Sequence, residues 1–166
     1  MRGSMMEQEF ADELTELHDG SISLFVTLPV FRGLLESTQR ADALQRVEAG
    51  IGEHLAYLDG ILSDVVVRRD RADSELTRWL FDSLVGLRSR VASAARDREI
   101  LAVIQQAQVF LVGSCSFALR CARQVRRERS VQVLEASLGR IGSLAPQLSY
   151  APAVSMARAE WSNAVA

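Results

Sequence analysis

The feature that most constrains this chain is the spacing of its apolar residues, which recur at i, i+3, i+4 and i+7 through most of its length. That period places them on one face of an α-helix, and no stretch of credible length alternates as a half-buried strand would. Five helices are expected. The first runs from Glu7 to Glu36, with Phe10, Leu14, Leu17, Leu24, Phe25, Leu28 and Leu35 inward and Pro29 placed to kink it. The second runs from Ala41 to Val67, with Leu44, Val47, Ile51, Leu55, Leu58, Leu62 and Val65 inward; Gly50, Gly52 and Gly60 weaken it or let a neighbour approach closely. A polar turn at Arg68-Arg69-Asp70-Arg71 leads to a third, Asp73 to Ala95, presenting Leu76, Trp79, Leu80, Leu84 and Leu87. The fourth, Asp97 to Arg126, carries the stripe Ile100, Ile104, Ala107, Leu111, Cys115, Ala118, Ala122 and Val125. The fifth, Ser130 to Leu144, presents Val131, Leu134, Leu138 and Ile141, and Pro146 disrupts its end.

Four long helices and one shorter helix, joined by short connections, predict an all-α, up-and-down helical bundle in one domain, residues 6–148. Met1-Arg2-Gly3-Ser4-Met5 reads as an expression-vector leader, and 149–166, with Pro146 and Pro152 nearby, as an irregular tail in which Trp161 could anchor against the bundle or a partner.

Composition then removes function classes. With 166 residues, 48% of them apolar, the chain can bury a sizeable core. All 19 basic residues are arginine, so Schiff-base and phosphate-loop lysine chemistry is excluded. No nucleophile motif or glycine-rich phosphate loop is present, and neither cysteine has an evident base nearby, so no enzyme activity is expected. Cys115 and Cys121 lie six apart on one helix, too far round its axis to bond, and two free thiols suit the cytoplasm. Residues 100–119 carry no charge, the length of a membrane span. Gln105, Gln106, Gln108, Ser114 and Ser116 favour a buried bundle helix instead.

The stretch Leu14-Thr15-Glu16-Leu17-His18-Asp19 through Leu28-Pro29-Val30-Phe31 resembles the first helix of the YciF/YciE-like stress proteins, a ferritin-like family. The resemblance continues at Glu53 to Asp59, at Ser74 to Leu87 and at Ile100 to Val125, covering about residues 9–150. It implies a ferritin-like bundle, commonly dimeric, with acidic residues on the central helices forming a di-metal site and a role in stress responses.

The departures from that pattern are specific. Where the family has A-E-K-Q-L, this chain has Gly20-Ser21-Ile22-Ser23-Leu24. Where it has H-L-E-E-T, the residues are Val47-Glu48-Ala49-Gly50-Ile51. The E-H-Y-E box aligns with Gln108-Val109-Phe110-Leu111 and the D-E-E-K box with Gly139-Arg140-Ile141-Gly142. A di-iron or di-manganese centre needs about four carboxylates converging from facing helices. Ser21 and Leu111 still fall in the apolar stripes but cannot hold a cation, so no cofactor and no metal are expected.

The favoured reading is therefore a non-enzymatic bundle that acts through protein–protein contacts, as a cytoplasmic homodimer. Val109, Phe110, Val112 and Phe117, off the main stripe of the fourth helix, supply the motive for dimerisation. The alternative is an iron- or manganese-binding oxidoreductase or storage protein with shifted ligands drawn from Glu16, His18, Asp19, Glu48, Glu53 and His54. On the bland view, the two histidines sit at helix edges, bonded to neighbours or solvent. The third reading rests on Arg120, Arg123 and Arg127, which share one face with Arg126 and Arg129 alongside and could bind an anion, an acidic partner or nucleic acid. Nucleic acid is the least expected of these, since the sequence pI is near 5.7. Residues 1–64 hold twelve acids and four arginines, the remainder nine and fifteen, so the two halves could also pair with each other.

Overall fold

The computed structural model describes residues 2–65 and 74–148, with side chains from residue 5 onward. The expected turn at Arg68-Arg69-Asp70-Arg71 and the tail with Trp161 lie outside the described residues. Those described form an all-α bundle: α1 (Arg2–Leu34), α2 (Thr38–Leu62), α3 (Glu75–Arg88), α4 (Ala94–Gln124), α5 (Glu128–Gly142) and a short 3-10 turn at Ala145–Leu148.

Serine hydroxyls set three of the starts. Ser37, Ser74 and Ser93 precede α2, α3 and α4, and their side chains accept from the backbone N–H of Arg40, Thr77 and Arg96, respectively. Ser93 also explains a correction: the expected third helix, to Ala95, ends at Arg88, and α4 begins at Ala94 rather than Asp97. The first helix likewise begins at Arg2, ahead of the expected Glu7, and continues through Pro29. The end of α4 is closed differently. Arg127 N–H bonds the Ala122 carbonyl (3.0 Å) and Arg126 N–H that of Arg123 (3.2 Å), which requires Arg126 at φ 57°. This is the left-handed helix stop that glycine usually occupies.

Four helices form the ring α1–α2–α5–α4. Interhelical bonds give their directions. His18 meets Asp59 while Arg32 meets Glu48, so α1 and α2 are antiparallel. Arg129 meets Asp64 and Arg140 meets Glu53, which makes α2 and α5 antiparallel. Glu7 meets Arg127 at one end and Leu34 meets Arg96 at the other, so α1 and α4 are antiparallel as well. Neighbours thus alternate around the ring, α2 and α4 share a direction, and α3, which lies between them in the chain, runs back along the bundle. Within that return, α3 lies against α1 and α4.

The interior stripes follow the expected ones in large part, but Phe25, Leu35, Leu55, Leu62, Val65, Val125, Val131 and Leu138, also expected inward, are only partly buried. Phe10, Leu14, Leu17, Leu24 and Leu28 of α1 meet Val47, Ile51 and Leu58 of α2, Ile104, Leu111 and Ala118 of α4, and Leu134 and Ile141 of α5 in one core. Trp79 is partly buried against that core. Gly50 is a close-approach glycine: a Cβ there would fall 2.4 Å from Leu144, whose side chain is fully buried. By length and composition α4 could cross a membrane; here its inner face is bundle core.

Candidate functional site

The four ring helices each send one small polar or titratable side chain to the middle of the core: Ser21 from α1, His54 from α2, Cys115 from α4 and Ser137 from α5. All four are fully buried. Each interrupts an apolar stripe, so the packing that buries the stripe carries it inward. His54 sits between Ile51 and Leu58, Ser21 between Leu17 and Leu24, and Ser137 between Leu134 and Ile141. The reading of His54 as a helix-edge residue is thereby corrected. Its own stripe, Val47–Ile51–His54–Leu58–Ile61, has the helical period and was the available signal, masked by Leu55 and Leu62 on an adjoining stripe.

Hydrogen-bond accounting fixes the state of the imidazole. Ser21 Oγ lies 2.6 Å from the Leu17 carbonyl and 2.9 Å from His54 Nε2. Its single proton goes to the carbonyl, so Nε2 must carry the hydrogen and donate to Ser21 Oγ. Nδ1 is then the acceptor of a bond donated by Ser137 Oγ. A directed chain results: Ser137 O–H to His54 Nδ1, His54 Nε2–H to Ser21 Oγ, Ser21 O–H to Leu17 C=O. Every hydrogen is used with the imidazole neutral, and a proton on Nδ1 would have to displace the serine's. Burial, reinforced by nearby His18, holds the His54 pKa down to about 4. Burial also pushes the Cys115 thiol up to about 11, and its S–H points to the Leu134 carbonyl at 3.7 Å.

These residues do not fit a di-metal centre. No carboxylate joins them, both imidazole nitrogens are occupied, and the thiol is protonated at neutral pH, so nothing offsets cationic charge. Among the described residues, no group of three or more His, Cys, Asp or Glu side chains is placed to hold a metal ion. The candidate shifted ligands do not converge on one point either, although His18 contacts its neighbour Asp19 at 3.8 Å. Glu48 pairs with Arg32 at 2.8 Å, Glu53 with Arg140 at 2.5 Å and His18 with Asp59 at 2.9 Å, while Asp19 is exposed and Glu16 half-buried. Of the box positions, Leu111 is fully buried and Gln108 is buried with neither amide atom bonded within the protein.

The arginine face is drawn into the protein's own contacts. Arg123 pairs with Glu135 (2.7 Å), Arg127 with Glu7 (3.0 Å), and Arg120 lies over the Phe117 ring. Arg126, exposed, forms the left-handed stop of α4.

A second polar site escaped the sequence reading. Asp97, in the first turn of α4, is 1% exposed and accepts from the backbone N–H groups of Glu36 (3.1 Å) and Ser37 (3.2 Å) and from Arg40 Nη1 (3.3 Å). It ties the α1–α2 turn to α4. The shallow cavity beside it, of about 360 Å³, is lined by Glu36, Ser37, Gln39, Arg40, Ala94 and Asp97 and is open to solvent. Compared with known proteins, the chain matches no family model and no curated sequence.

Proposed function

We propose that this chain is a ferritin-like bundle without di-metal chemistry, acting through protein–protein contacts as a homodimer. The observation that carries it is the bundle centre, where each of four helices contributes a neutral Ser, His, Cys or Ser. Such a set serves helix register rather than catalysis: a satisfied polar network in a core admits one arrangement of its helices. The single return connection between α2 and α4 supports the ferritin-like part, because bundles of that class have one long crossover. The free, buried Cys115 and Cys121 suit a cytoplasmic protein, and a stress role is the one that the family resemblance implies.

Metal analysis of the purified protein after growth with added iron, manganese and zinc tests this reading. Each metal is expected well below one equivalent. Near-stoichiometric iron, manganese or zinc that survives dialysis would overturn it and revive the shifted-ligand oxidoreductase.

A further inference from the structure

The outer side of the bundle carries an apolar surface that the core does not absorb. On α1, Ile22, Val26 and Val30 form an i, i+4, i+8 stripe opposite the buried one, with exposures of 40, 51 and 40%. On α3, Phe81 and Val85 are 46 and 70% exposed. The two stripes adjoin. Ser23 of α1 bonds Thr77 of α3 at 2.7 Å, and Phe81 and Val85 follow Thr77 by one and two turns on the same side of the helix. Arg96 bonds both the Leu34 and Arg90 carbonyls, so α3 runs alongside α1 toward the same end.

Charge marks the two ends of this surface. Asp19, exposed, stands one turn before Ile22 in the α1 stripe, and Arg88, exposed, stands one turn after Val85 in the α3 stripe. At 1.5 Å rise per residue, Asp19 lies about 10 Å to one side of Val26 and Arg88 about 12 Å to the other. A twofold axis near the level of Val26 therefore brings the acid of one copy to the height of the base of another, and apolar centre onto apolar centre.

We propose that the α1–α3 outer face is where a second copy of this chain docks, antiparallel to the first. This rests on the protein-contact reading above and names its partner and surface, in place of the α4 residues Val109, Phe110, Val112 and Phe117. Of those four, only Val109 is strongly exposed, at 71%; the others pack partly against the core. A twofold interface must be self-complementary, and the order acid, apolar, base along the helix direction of this face has that property.

Sedimentation equilibrium of the full chain, with variants at exposed positions, tests the proposal. The parent is expected to dimerise with a dissociation constant of roughly micromolar or tighter. Val26→Glu combined with Phe81→Glu is expected to weaken it by about 30-fold or more at unchanged circular dichroism and Tm. Asp19→Arg and Arg88→Asp should each weaken it about 3- to 10-fold, and the two together should recover most of the loss. A monomer at the highest concentration reached would overturn both this proposal and the homodimer. A dimer indifferent to these four substitutions but broken by Val109→Glu would overturn the α1–α3 face alone. Dimerisation that appears only on deleting 149–166 would also overturn it, by making the tail the occupant.

Discussion

The molecule has two buried polar sites built on opposite electrostatic plans. At the end of the bundle, Asp97 is a carboxylate whose charge is met by two backbone N–H groups and the Arg40 guanidinium. At its centre, His54 is met by two serine hydroxyls, which satisfy both nitrogens of the uncharged ring. The charged site has donors alone around an acceptor. The neutral one has a donor and an acceptor matched in sequence. Burial penalises an ion far more than a dipole, so the first site needs its donors to hold a charge, whereas the second avoids the charge. The contrast also explains their positions: the carboxylate lies beside a shallow cavity near solvent, and the imidazole lies where all four ring helices meet.

The largest effect is expected from removing the charge at the first site. Asp97→Ala leaves the Glu36 and Ser37 N–H groups without their acceptor and Arg40 without its partner, at a cost of about 3 kcal/mol or more. Asp97→Asn keeps the shape and one acceptor oxygen and should lose less. Urea denaturation at neutral pH separates the two; equal losses would show that shape, not charge, holds the turn.

At the second site the effect comes from adding a charge. The unfolded chain protonates His54 near its ordinary value of 6.5, the folded chain only near 4. Between those values unfolding takes up a proton, so stability falls as the pH is lowered through that window and is fully present above it. The contribution lost by about pH 4 is on the order of 3 kcal/mol. His54→Gln should be less stable than the parent at neutral pH and lack this part of the pH dependence. Parallel pH profiles for parent and variant would place the acid sensitivity elsewhere.

A finer test addresses the hydrogen-bond direction. Ser137→Ala removes the donor to Nδ1 and leaves the ring protonated on Nε2, while Ser21→Ala removes the acceptor for Nε2–H. In that second variant the ring can move its hydrogen to Nδ1 and donate to Ser137 instead. Each variant then leaves one ring nitrogen unsatisfied, at about 1–2 kcal/mol. Nitrogen chemical shifts of His54 should report Nε2–H in the parent and in Ser137→Ala, and Nδ1–H in Ser21→Ala. The same tautomer in all three would reject the assigned chain.

How much of this was legible beforehand follows from the same physics. The five apolar stripes, the fifth helix ending before Pro146 and the inward positions of Ser21 and Leu111 could all be read from residue spacing, because helical period alone sets them. Helix ends were less legible. Ser93 lies in a run that reads as helix continuing from Trp79, and only the neighbouring elements show that the chain turns there to start α4. His54 and Asp97 were the least legible. Both stand at stripe positions, three residues from Ile51 and Ile100, yet a polar residue at such a position is buried only when partners elsewhere in the chain complete it. Those partners are Ser21 and Ser137 for one, and Glu36, Ser37 and Arg40 for the other, at separations from 33 to 83 residues.

The smallest effect calibrates the comparison. Arg123 and Glu135 make an ion pair as short as any at the Asp97 site, 2.7 Å, but their side chains are 57 and 50% exposed. Water and salt screen such a pair, and two long side chains lose rotamer freedom to form it, so Arg123→Ala should cost no more than about 0.5 kcal/mol and should cost less as salt is raised. Asp97→Ala, by contrast, should keep most of its cost in salt, because its carboxylate is shielded from solvent. Measured side by side at low and high ionic strength, the two variants compare a buried carboxylate held by three donors at 3.1–3.3 Å with a single exposed pair at 2.7 Å. If Arg123→Ala instead cost as much as Asp97→Ala, burial would not set the scale, and the arginine-rich end of α4 would hold its shape through a linked charge network including Arg127–Glu7 and Arg129–Asp64.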